Sequence, residues 1–158
     1  HSLPIGKKAL PFFLESTDGK KLNLEMIYGN LNMIFYEDRS AVEKNNEIKH
    51  QLSQFRDNNM SLLQNFQIIQ VIDASSANFL TKTIWRRKLL QNSRQNNIVI
   101  YADWTGDMLR DYQLKSRESN LIIIDQAGII RYLFFGKVND QELKIIEDLL
   151  LSIARESL

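Results

Sequence analysis

LNMIFYEDRSAVEKNN, residues 31–46, is the stretch whose reading decides the fold. Met33, Ile34 and Phe35 form a short apolar run of aromatic and branched side chains, the pattern of a strand covered on both faces. Polar residues follow at once. Ser40 and Glu43 stand three apart in Ser-Ala-Val-Glu, the spacing at which a hydroxyl caps the third amide of a helix and the carboxylate reaches back to the cap amide. The spacing predicts a helix starting at Ser40. Ile48, Leu52 and Phe55 recur at helical intervals, which gives that helix one apolar stripe, and Asp57-Asn58-Asn59 ends it.

Upstream, residues 10–14 and 20–24 flank Thr17-Asp18-Gly19, where Asp-Gly supplies the positive φ values of a tight turn, so a small N-terminal hairpin is expected. Pro11 suggests that its first arm lies at a sheet edge. Downstream, FQIIQVID (66–73) reads as a second core strand. Strand, long helix and strand form a right-handed crossover unit that leaves the two strands parallel. Residues 78–95 read as a surface helix, with Leu80, Ile84 and Trp85 on one side and a solvated basic face at Arg86, Arg87 and Lys88. A short strand at 98–103 and a short helix at 105–114 follow, with Met108, Leu109 and Tyr112 pointing inward.

The end of the chain changes character. LIIID (121–125) and IIRYLFF (129–135) are joined by Gln126-Ala127-Gly128, too short a link for a parallel crossover, so they form an antiparallel hairpin. Tyr132, Phe134 and Phe135 read as its packing; an exposed aromatic patch there would favour a protein partner. A last helix runs over 139–155, capped by Asn139, with Leu143, Ile146, Leu150 and Ile153 as its buried stripe.

Composition excludes several function classes. A net charge of +1 and a pI near 8.1 provide no strong field toward nucleic acid or an anionic membrane. No apolar run approaches the roughly 18 residues that membrane insertion requires. The most informative count is zero cysteines, which removes disulfides, thiolate nucleophiles and cysteine-ligated zinc together. Asp103, Asp107 and Asp111 recur every fourth residue, but without a glycine-bearing calcium loop they read as a strand end and a solvated helix face. Neither metal nor cofactor is expected. His50 reads as a surface or packing residue, and the basic run beside Trp85 as a wet face.

The words of the sequence, and not only their order, resemble the thioredoxin-like superfamily in its peroxiredoxin and TlpA-like branch. Phe35-Tyr36-Glu37-Asp38-Arg39-Ser40 resembles the passage from strand to active site; Tyr101-Ala102-Asp103 through Leu109, Tyr112 and Leu114 resembles a D…G…Y-x-[VL] segment. Residues 121–130 resemble the family's FLID-x-x-G-x-I hairpin. The resemblance implies an α/β thioredoxin-like fold with a mixed central sheet, flanking helices, an N-terminal hairpin and an inserted strand and helix. It reads residues 1–158 as a single domain, with 1–9 as a leader or boundary segment. It also places the first and second cysteines of the family's C-x-x-C on Ser40 and Glu43, and the cis-proline near Ser119. The stretch from Arg39-Ser40-Ala41 to Asn45 is similar as well to the YtfJ-type proteins of Gram-negative bacteria, thought to be exported and without an assigned activity.

That resemblance implies a redox-inactive binding or scaffolding protein, periplasmic or otherwise exported, with Arg39, Ser40, Glu43, Lys44 and Ser119 at the family's active-site positions and no catalytic residue among them. A protein partner or a small anionic ligand fits that reading. An anion would use the first amides of the helix, with Arg39 and Lys44 adding charge. The alternative is an enzyme: a thiol peroxidase or thiol-disulfide oxidoreductase whose cysteine was replaced by Ser40, or a non-thiol enzyme using the same helix end. A serine needs an adjacent base to act as a nucleophile, and an ordinary carboxylate such as Glu43 is a poor one.

Overall fold

A computed structural model of the chain describes residues 5–158 except 79 and 97. The expected leader therefore falls partly, over residues 1–4, outside the described residues. The centre is strand β3 (Leu31–Glu37), all seven residues of which are buried. β4 (Phe66–Asp73) lies parallel on one side of it and β6 (Ser119–Ile124) antiparallel on the other. β7 (Ile130–Phe135) completes the expected C-terminal hairpin, and β5 (Ile100–Asp103) runs parallel to β4. β1 (Phe13–Ser16) and β2 (Lys21–Asn23) form the N-terminal hairpin, giving one seven-stranded mixed sheet in the order β2-β1-β5-β4-β3-β6-β7.

Alternation along β3 sorts its side chains between two layers. Leu31, Met33 and Phe35 face α2 (Asn46–Asn58), α3 (Met60–Leu63) and α6 (Asp140–Glu156), which contribute Ile48, Leu52, Leu63, Ile146 and Leu150. Ile34 and Tyr36 face the opposite layer, built from α1 (Leu24–Ile27), α5 (Asp107–Asp111), Phe12 and Leu14. A third cluster joins Leu89 of α4 (Lys82–Asn96) to Ile72, Ile100 and Ala102, with Trp85 and Trp104 at its margin. As expected, α6 takes Asn139 as its cap: the Asn139 side chain accepts from the Glu142 amide at 2.8 Å.

Two expectations need correction. The helix after β3 begins at Asn46, not at Ser40, for reasons that belong to the site below. Pro11 lies before β1, and β1 is flanked by β2 and β5, so the edge of the sheet is β2. Leu80 and Ile84 are exposed, at 81% and 52%; the residue that fastens α4 to the sheet is Leu89. Gly128, in the β6–β7 turn, has φ +80°, and a Cβ there would sit 2.2 Å from the Tyr28 ring, so the glycine is required by packing as well as by the turn. The four-residue helices α1 and α3 are too short to leave a period in the sequence.

Ile146, fully buried against the sheet, is the best single probe of this packing. Ile146→Ala is expected to lower unfolding free energy by about 2–5 kcal/mol, and Asn139→Ala by about 1 kcal/mol, in urea titrations followed by circular dichroism.

Candidate functional site

The last residue of β3 breaks the apolar rule of its face. After Leu31, Met33 and Phe35, alternation brings Glu37 to the α2 and α6 side, where its side chain is completely buried. An ionised carboxylate in that position needs partners for both oxygens. It finds them on three elements. Lys49 Nζ of α2 lies 2.5 Å from Oε1, Gln70 Nε2 of β4 donates to the same oxygen at 2.9 Å, and Ser119 Oγ of β6 donates to Oε2 at 2.6 Å.

Asn45 extends the network. Its Nδ2 donates to Ser119 Oγ at 2.9 Å and to the Gly136 carbonyl at 3.0 Å, while its Oδ1 accepts from the Val138 amide at 2.9 Å. The chain just before α2 is thereby tied to β6 and to the segment between β7 and α6. Lys49 is held further by the Val42 carbonyl at 3.2 Å and lies 5.2 Å from the centre of the Phe35 ring. On the opposite face, Tyr36 Oη donates to Asp103 at 2.7 Å, and burial, reinforced by that carboxylate, raises the phenol well above its ordinary value. Asp103 also accepts from the Met108 amide, so it fixes the start of α5.

This network explains the displaced helix. Asp38 accepts both the amide of Ser40, at 3.0 Å, and its hydroxyl, at 2.5 Å. Ala41 N donates to the Asp38 carbonyl and Lys44 N to the Ala41 carbonyl, so turns replace the first helical turn. Ser40 and Glu43 make no capping box. Asn45 takes the cap position but spends its side chain on Ser119, Gly136 and Val138. A local capping bond worth about 1 kcal/mol has been outcompeted by contacts that complete a buried polar cluster.

Of the five positions singled out in the sequence, Ser40 stays on the exposed loop with Asp38 and the other four divide into two groups. Ser119 sits in the buried cluster, and Lys44 bridges to Glu118 at 2.5 Å beside it. Ser119 belongs to β6, and no cis peptide occurs among the described residues; the turn ahead of it is made by Arg117 at φ 57°. Arg39 and Glu43 face the other way, onto a cavity of about 580 Å³ shared with Asn46, Lys49 and His50. The Arg39 guanidinium lies 4.8 Å from the centre of the Trp85 ring. Sequence reading missed Glu37, Asn45, Lys49 and Gln70. One signal was present: a glutamate closing an otherwise apolar strand, with a lysine on the face of the next helix.

Chemically, Ser40 has one acceptor beside it. Burial pushes the Asp38 carboxyl up, but hydrogen bonds from the Ser40 hydroxyl and amide outweigh it and leave the group below its ordinary value. Such a carboxylate is a weak base for a hydroxyl, and the contact is on an exposed loop. The amides of Ser40, Ala41 and Lys44 already donate within the loop, which removes much of the anion site expected at a helix end. The described residues contain no group of three or more His, Asp or Glu side chains arranged for a metal, and Asp107 and Asp111 both pair with Arg110.

Taken together, the parallel β3–β4 crossover, the antiparallel C-terminal hairpin and the closing helix define a thioredoxin-like fold, here without cysteine. Residues 20–152 match the family described as "Bacterial protein of unknown function (YtfJ_HI0045)", and the chain belongs to that family. No curated protein matches it. Among solved structures, it is similar to a candidate thiol:disulfide interchange protein DsbE from Chlorobium tepidum, with TM-score 0.69, 18% identity, and 97% and 99% of the two chains covered. It is similar also to a candidate protein disulfide isomerase from Bacteroides thetaiotaomicron (TM-score 0.71, 19% identity, 98% and 92% covered). A third is the pneumococcal exposed lipoprotein thioredoxin Etrx1 from Streptococcus pneumoniae strain TIGR4 (0.61, 15%, 93% and 99%). At these identities the likeness is one of fold.

Three predictions test the site. Glu37→Ala leaves Lys49 facing a largely buried void and is expected to cost about 2–4 kcal/mol of stability. Ser40→Ala removes an exposed loop contact and is expected to cost under about 0.5 kcal/mol; a helix cap would have cost more, so urea titration of both variants separates the two roles. Glu118 supplies a pH signature. Its hydrogen bond with Lys44 holds its carboxyl below the ordinary value. A depressed folded-state value stabilises the fold above the ordinary carboxylate range and loses that contribution as pH falls through the depressed value. The stability gap between wild type and Glu118→Gln should thus be present at neutral pH, below about 1 kcal/mol because the pair is partly solvated, and close on strong acidification.

Proposed function

We propose that this protein is a redox-inactive member of the thioredoxin-like class that acts by binding, as an adaptor or scaffold, and that Arg39, Ser40, Glu43, Lys44 and Ser119 occupy the positions of the redox relatives' active site. The observation that carries the proposal is the content of the seam between β3 and α2. No thiol is available there, and the region beneath is filled by Glu37, Lys49, Gln70, Asn45 and Ser119 with their hydrogen-bonding capacity turned on one another. A thiol exchange centre needs a reactive thiolate with room for an incoming disulfide. Here the corresponding loop offers a hydroxyl bonded to Asp38.

The same reading places the protein outside the cytoplasm, in the periplasm or otherwise exported. Support comes from the solved relatives, one of which is described as an exposed lipoprotein. Among the described residues no helix is long and apolar enough to cross a membrane.

Purified protein is expected to show neither reduction of insulin disulfides by dithiothreitol-coupled turnover nor consumption of hydrogen peroxide above a buffer blank. Turnover in either assay that disappears in Ser40→Ala would replace the binding reading with an enzymatic one.

A further inference from the structure

Between α2 and α4 the sheet is left open on one flank. Among the described residues β5 pairs with only the last four residues of β4, from Gln70 opposite Ile100 to Asp73 opposite Asp103. Residues 66–69 of β4 meet β3 on one side and, among the described residues, no strand on the other. Two cavities, of about 530 and 580 Å³, lie along this flank and share Lys49, His50, Gln70 and Ile98. They form one trough, from Arg39 and Glu43 beside the loop to Arg56 and Gln67 at the far end.

The lining has two characters. Ile68, Ile72, Leu89 and Ile100 give an apolar wall, and Ile98 and Val99 stand 45% and 40% exposed where β5 has not yet begun. The charged groups are mostly of one sign. Arg39, Lys49 and Arg56 line the trough against a single carboxylate, Glu43. Lys49 is committed to Glu37 and Arg56 lies 3.5 Å from Asp57; the bordering helix α4 carries no acid, and although its Lys82 and Arg86 turn to the Trp104 ring and Arg86 also to Glu15, Arg87, Lys88 and Arg94 stand exposed on it. In a chain of net charge +1 this is a local concentration of positive charge.

We infer that this trough receives an extended acidic segment of a partner protein, added as a strand along the free flank of β4. The inference rests on the binding role proposed above and supplies its surface and its partner chemistry. A flank of β4 that has no strand partner over residues 66–69 among the described residues matches a peptide backbone, as in other strand-addition complexes. Alternate side chains of such a segment would fall on Ile68, Ile98 and Val99, and the acidic ones toward the cationic rim. A nucleic acid would satisfy the charge but not the backbone groups of a strand edge, and a lipid surface could not enter a trough between two helices.

The test uses the full chain, labelled with nitrogen-15, and two synthetic nine-residue peptides: one alternating valine with glutamate, the other valine with lysine. The acidic peptide is expected to shift the amides of residues 66–69 and 98–100 and to slow their hydrogen exchange. Its affinity should fall roughly tenfold in the Arg39→Glu, Arg56→Glu double variant, whose melting curve checks that the fold persists, and should weaken with salt. The inference is overturned if the acidic peptide leaves those amides unmoved up to about 1 mM. It is equally overturned if the lysine peptide binds as well, or if duplex DNA or phosphatidylglycerol vesicles move the same amides at lower concentration. Failure here with no redox turnover removes the trough and leaves the binding role; turnover with peptide binding does the reverse.

Discussion

A carboxylate with no access to water, Glu37, is the constraint on which the rest of the structure depends. An isolated buried charge costs several kcal/mol, and it is tolerated only when partners converge on it with good geometry. Those partners are a lysine from the helix above, an amide from the strand on one side and a hydroxyl from the strand on the other. The requirement acts on the register as much as on the site. Ser119 lies opposite Glu37 across the β3–β6 pair, and a slip of one residue would turn it to the other face of the sheet.

From that cluster the local architecture follows. Asn45 must reach Ser119, Gly136 and Val138, so it cannot also cap α2, and the chain between Asp38 and Asn45 settles into turns. Lys49 must reach Glu37, which fixes the face α2 presents to the sheet together with Ile48 and Leu52. The loop between Asp38 and Asn45 thus forms the upper edge of a polar lock. In this protein the most rigidly satisfied groups lie beneath the β3–α2 junction, and the open surface lies to the side, between α2 and α4.

Much of the fold was legible in the sequence because it is encoded at short range. The apolar run at Met33, Ile34 and Phe35, the tight link Gln126-Ala127-Gly128 and the stripe at Leu143, Ile146, Leu150 and Ile153 each occupy few enough residues for periodicity to show. The misreadings share a cause. Ser40 and Glu43 have the right spacing for a cap, yet Asp38, two residues earlier, takes the Ser40 hydroxyl, and propensity gave way to a nearer partner. The surface helix expected over 78–95 begins only at Lys82 and touches the sheet at Leu89, which no spacing singled out, while Leu80 and Ile84 are exposed.

By itself the sequence determined the strand pattern, the antiparallel close of the sheet and the absence of cysteine, since each is a matter of which residues are present and how neighbours alternate. The tertiary structure decided which polar groups meet beneath the β3–α2 junction. Ser119 meets Glu37 across 82 positions and Val138 meets Asn45 across 93. Partners so far apart leave no spacing to read; burial selects them, because a polar group withdrawn from water must be matched by whatever the folded chain brings within hydrogen-bonding reach.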